Sequence, residues 1–237
     1  MKARLLLWCV PLGVALLLTA GTNHLLGYPS AADSGFTPDK GKLRILQQGN
    51  EAGTEEFSFA PSGNGWVMED ESIIHVPGSA EMRTSGQLRI SADGTPQHYT
   101  WNAQGDKKAS GVVEFENGTA KTSTSVPGAK QPVQQDFKFT SGRIAVLDNN
   151  LYEQYALLGR IYDWNSRGTQ SFSVLIPQDA TPGSIELEAI GAKSVDGANL
   201  EVLRVHSTDL EIELFFDAKF HLVRLEVPAA KVVILRQ

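Results

Sequence analysis

Carboxylates are the most numerous ionisable groups in this chain: 27 Asp and Glu in 237 residues, against 21 Lys and Arg. Glu55 and Glu56, the run Glu69 to Glu71, and Glu211 with Glu213 could supply the acid and base of a glycoside hydrolase. That chemistry needs two carboxyl groups about 5 to 9.5 Å apart. The spacing points elsewhere, because Glu186 and Glu188, like Glu211 and Glu213, alternate with apolar residues, the pattern of a solvated sheet face. His75, His98, His206 and His221 lie in or beside expected strands, and no two share the short spacing of a metal-binding pair. There is no nucleophile elbow, phosphate-cradling glycine loop or calcium-loop spacing. Asn117-Gly118-Thr119 has the form of a glycosylation sequon, but a hairpin turn accounts for the same residues. The single cysteine, Cys9, lies in an apolar leader, so the domain that follows has neither a disulfide nor a thiolate metal site. The expectation is a non-catalytic module without metal or cofactor.

The aromatic residues suggest a different use. Trp66, Tyr99, Trp101, Tyr152, Tyr155, Tyr162 and Trp164 each combine an apolar ring with a polar tip. Such side chains suit a partly wet cavity, where the tip finds a partner and the ring meets an apolar ligand; they also suit a filled core. Trp66, Tyr99 and Trp101 from strands, with Leu151, Tyr155, Leu158 and Tyr162 from a helix, are therefore the candidate ligand contacts.

Strands must position most of these residues. From Leu43 onward, short segments rich in β-branched and aromatic residues alternate with turn signals. Phe57 and Phe59, Leu88 and Ile90, Tyr99 and Trp101, Val113 and Phe115, and Phe137 and Phe139 each lie two apart, so each pair shares one face of its strand. Asn117-Gly118 is a strong type I′ hairpin signal, and Asp93-Gly94 and Asp196-Gly197 are further candidates. Leu151, Tyr155, Leu158 and Tyr162 break the period with a helical stripe between Asn150 and Trp164, and Asn150 with Glu153 has the form of a capping box. The spacing predicts about fourteen strands and one amphipathic helix in a single domain, residues 43–237. The fold class is mainly β: one strongly curved antiparallel meander sheet, a half-barrel, with the helix packed on its concave face. Most connections are too short for the crossovers of parallel strands.

The beginning of the chain has the secretory pattern. Lys2 and Arg4 precede an apolar run from Leu5 to Ala20, too short to span a bilayer comfortably. Residues 1–21 read as a signal peptide or an N-terminal membrane anchor. Cys9 follows Trp8 inside the run and does not fit a lipidation site, and residues 22–42, rich in Gly, Ser, Pro and Ala, read as a flexible tether. The net charge of −6, with scattered cations, makes a nucleic-acid partner unfavourable.

The helix LYEQYALLGRIYDW, the strand SFSVLIP and the terminal run LEIELFFDAKFHLVRLEVP resemble bacterial envelope proteins of unknown function related to the lipoprotein-carrier half-barrel, the LolA/LolB-like superfamily. The likeness centres on residues 157–226, about a third of the chain. It implies a curved antiparallel sheet wrapped round a helix, in some members with an apolar groove for acyl chains, and it brings no catalytic residues. The resulting expectation is an exported periplasmic or envelope protein that binds a lipid-like, amphiphilic small molecule. Any membrane contact would be through the N-terminal segment only. The alternative is an envelope scaffold that engages a protein partner and has a filled core; a carboxylate-dependent hydrolase ranks behind both.

Overall fold

A computed structural model describes residues 36–237 except 76, 77, 107 and 209. The leader and residues 22–35 of the expected tether lie outside the described residues. Eight strands come first: β1 Asp39–Gln47, β2 Asn50–Ser62, β3 Gly65–Ile74, β4 Met82–Ser91, β5 Pro96–Gln104, β6 Ala109–Glu116, β7 Thr119–Ser125 and β8 Val133–Lys138. The short β9, Ile144–Val146, precedes a 3-10 turn, Glu153–Tyr155, that runs directly into the helix α1, Ala156–Ile161. Six strands complete the chain: β10 Gln170–Ile176, β11 Thr181–Val195, β12 Ala198–His206, β13 Glu211–Phe216, β14 Leu222–Val227 and β15 Val232–Arg236. β1 thus begins at Asp39, inside the segment read as tether. Its first residues pair with β2, Asp39 opposite Phe59.

All fifteen strands form one open sheet in the order β8-β7-β6-β5-β4-β3-β2-β1-β15-β14-β13-β12-β11-β10-β9. The expected single meander is therefore two meanders joined where β1 pairs antiparallel with β15. At about 4.8 Å per strand a flat sheet of this size would be about 65–70 Å wide. Its two edges, β8 and β9, are nevertheless consecutive in the chain and joined by residues 139–143. That link spans about 20 Å at most when fully extended. Only a sheet rolled almost into a barrel satisfies both conditions, and twist drives the same outcome in very wide sheets. The β9 edge tucks inward, so Val146 packs with Met68, Leu88 and Tyr99 from the first meander.

β9 and β10 are parallel, with Ala145 opposite Val174, against the expectation of antiparallel pairing throughout. Parallel neighbours need a long crossover, and the connection between these two is the one that contains the helix. The hairpin at Asn117-Gly118 has both φ values positive, 50° and 74°, as a type I′ turn requires. Asp196-Gly197 repeats this at 51° and 83°. At Asp93-Gly94 only the glycine is left-handed.

The helix is shorter than its stripe suggested and lies on the concave face. Leu158 is fully buried in a core that includes Leu203, Leu214 and Phe216. Gly159 lies so close to the Phe216 ring that a Cβ there would collide with it. The Asn150–Glu153 capping box does not form. Asn150 is left-handed at φ 64°, and Tyr152, at the helix start, supplies no side-chain cap.

Candidate functional site: an apolar cavity beside a buried acid cluster

A strand carries the helix cap instead. The Glu55 carboxylate of β2 accepts the backbone N–H of Tyr152 at 2.7 Å and that of Glu153 at 2.9 Å. These are donors that a helix start leaves without intrahelical partners. Glu55 occupies the inward face of β2 in phase with Phe57 and Phe59, so the pleat that buries the two rings buries the carboxylate too. Asp70 does the same on β3, in phase with Met68 and Ile74. Gln154 donates to Asp70 at 3.1 Å and to the Tyr99 hydroxyl at 3.2 Å, and its carbonyl oxygen accepts the Asp148 N–H at 2.7 Å. Asp148 Oδ2 accepts the Tyr99 hydroxyl at 2.9 Å, while its Oδ1 accepts the N–H groups of Asn149 and Gln178, each at 3.0 Å. This network fastens the segment 148–155 to the sheet.

Burial dominates the electrostatics of the cluster. Loss of solvation, with the nearby Asp70 charge, pushes the Glu55 carboxyl well above its usual range. Burial raises Asp70, although its bond from Gln154 opposes the change. Burial likewise lifts Asp148 to about 6 against its hydrogen bonds. Glu153 is raised by burial and by Glu55, and neither of its carboxyl oxygens has a hydrogen-bond partner. At the far end of the helix, Arg160 forms a buried ion pair with Asp39 at 3.0 Å, and Arg236 reaches the other oxygen of Asp39 at 2.6 Å. Of the acids named as a possible acid and base, Glu55 and Asp70 are buried beneath the helix, and Glu56, Glu69 and Glu71 face solvent. Glu186, Glu188 and Glu211 are exposed, as their alternation predicts. Among the described residues no three acids, histidines or cysteines are grouped to hold a metal ion.

Beside this network lies a cavity of about 470 Å³. The second meander forms one wall, with Val174, Ile176, Ile185, Val205, Ile212 and Val227 pointing inward. The first meander forms the other with Met82, Trp101, Ala103 and Ala109. Tyr152, Tyr155, Asn149 and Asn150 complete the lining, and exposed Asp179 and Ser184 mark the mouth. Small residues on the inner face of the first meander leave this room. The Trp101 indole lies over Gly111, where a Cβ would strike it.

The candidate residues divide accordingly. Trp101 and Tyr155 line the cavity. Tyr99 lies behind it as a buried member of the polar network, and Leu151 packs over Gly86 beside Tyr99. Leu158 is packed core, so the helical stripe as a whole does not line the cavity. Tyr162 turns to the other end, where its hydroxyl donates to the Gly168 carbonyl at 2.8 Å and its ring meets Trp164 edge-on. Trp66 stacks on Phe59 at 4.9 Å between ring centroids, remote from the cavity lining. Sequence reasoning missed Asp148 and Gln154 altogether, and it named Glu55 and Asp70 without their burial. For Glu55 and Asp70 a signal of burial existed, namely their phase with inward-facing Phe57, Phe59 and Met68.

No protein-family model matches the chain, and no curated protein does. Among solved structures, a DUF1089-family protein from Pseudomonas aeruginosa aligns with a TM-score of 0.47 and 10% identity, over 88% of this chain and 98% of that one. A DUF1329-family protein from Desulfovibrio piger gives 0.23 and 12%, over 84% and 82%. A β-barrel-like protein of a domain of unknown function, DUF1849, from Brucella abortus gives a TM-score of 0.54 at 11% identity, over 84% of this chain and 94% of that one, so the chain shares a barrel-like fold with it.

Proposed function

We propose that this protein is a non-catalytic envelope module that binds one lipid-like, amphiphilic molecule in the cavity between its two meanders. One observation carries the reading: a mainly apolar cavity of about 470 Å³ with a few polar groups in its lining. Ligand pockets have about 300–1,000 Å³ and this same mixture of apolar wall and sparse polar groups. The aromatic composition and the resemblance to the lipoprotein-carrier half-barrel support it. The basic start and apolar run of residues 2–20 support export to the envelope. The filled-core scaffold is disfavoured by the cavity itself. Two measurements test the proposal. Native mass spectrometry of protein purified from its own host should show a co-purified lipid. An uncharged fluorescent acyl ester should bind saturably to the wild type but not to Ala103→Phe, whose ring fills the cavity. Absence of saturable binding to the wild type would remove the proposal.

A further inference from the structure

The charges around the cavity restrict its ligand more than its size does. Among the described residues that line it there is no Lys, Arg or His, while Asp148 and Asp179 are both present. Asp148 is buried in the wall with its oxygens bonded to Tyr99, Asn149 and Gln178, and Asp179 is exposed at the mouth. Lys108 and Lys231 neighbour the lining residues Ala109 and Val232 in sequence, but both are exposed to water. A carboxylate or phosphate drawn into this cavity would lose its hydration without gaining a cation, and it would face two acids. Burying an unpaired anion is among the most costly steps available to a protein. The polar groups that are present suit a different chemistry. The hydroxyls of Tyr152 and Tyr155 have no hydrogen-bond partner among the described residues, and burial keeps both phenols protonated, that of Tyr155 up to about 12. They are uncharged donors in the lining, suited to an ester carbonyl or a hydroxyl.

Volume sets the number of chains. A methylene needs about as much room as a liquid water molecule, about 30 Å³, so the cavity holds on the order of fifteen such groups. That is the scale of a single acyl chain. Resting on the ligand-binding reading above, we infer that the cavity selects a single acyl chain ending in an uncharged ester or hydroxyl group, and discriminates against free fatty acids and phosphate-bearing lipids.

Three probes with one chain length separate this from simple greasiness: monooleoylglycerol, oleate and oleylamine, titrated by calorimetry at pH 7.5 below their aggregation thresholds. The expected result is that monooleoylglycerol binds at least tenfold more tightly than oleate. Tyr155→Phe, which removes one of the uncharged donors, should narrow that gap at least threefold by weakening the glycerol ester. Oleate or oleylamine binding as tightly as the glycerol ester would overturn the inference and leave a lipid-binding module without headgroup selection. Binding of none of the three would instead remove the ligand-binding reading itself.

Discussion

Raising the pH should destabilise this protein across a range in which most acidic proteins are indifferent, and Asp148 lets the effect be sized. Its carboxyl, ordinarily near 3.8, is lifted to about 6 by burial. Between those values the folded state binds a proton that the unfolded chain has released. Stability is therefore full below about pH 4, falls as the pH climbs, and levels off above the folded value. At 1.36 kcal/mol per pH unit, the displacement is about 3 kcal/mol. Glu55, Asp70 and Glu153 are displaced in the same direction and should deepen the fall. Asp39, held low by Arg236 and Arg160 against its burial, acts oppositely, but only in acid below about pH 4. The assay is urea unfolding at pH 4.5, 6.0 and 7.5 on the wild type and on Asp148→Asn. The asparagine keeps an oxygen for the Asn149 and Gln178 N–H groups and loses the titration, so its stability should fall by about 2 kcal/mol less over this range, the remaining part of the displacement lying below pH 4.5. Stability that rises with pH, or an identical slope in the variant, would refute the assignment of a displaced carboxyl to Asp148.

Glu55→Ala strips the cap from the helix start, leaves two buried N–H groups unpaired, and should cost about 2–4 kcal/mol in chemical denaturation. Leu158→Ala should cost the 2–5 kcal/mol of a packed core site, and Leu158→Trp should overpack, both read from the urea midpoint. Gly118→Val places a β-branched residue at φ 74° and should lower stability by about 1–2 kcal/mol, visible as a lower melting temperature. Deleting residues 2–21 should retain the protein in the cytoplasm on cell fractionation, if that segment directs export.

The alternation of apolar residues made the strands, and hence the β class, readable without coordinates. Val113 with Phe115 and the Asn117-Gly118 turn between β6 and β7 are local features that need only the two-residue period and the tolerance of positive φ. The helix was legible as a stripe, but its start was not. Asn150 and Glu153 match a local cap, whereas the cap observed comes from Glu55, nearly a hundred residues earlier. The crossover that makes β9 and β10 parallel was hidden in the same way, because β9 has only three residues and no alternation to reveal it.

What the sequence by itself determined, then, is which residues turn inward along each strand, where the chain reverses, and where the pattern becomes helical. These follow from interactions among near neighbours. Only the tertiary structure decided that β1 pairs with β15, that the sheet rolls until its two edges lie within one short link, and that Trp101 and Tyr155 face a common space while Trp66 and Tyr162 do not. A cavity is the volume left between surfaces far apart in the chain, and a buried carboxyl depends on which backbone amides arrive from elsewhere to meet it. Both are properties of long-range closure, and no local pattern of residues encodes them.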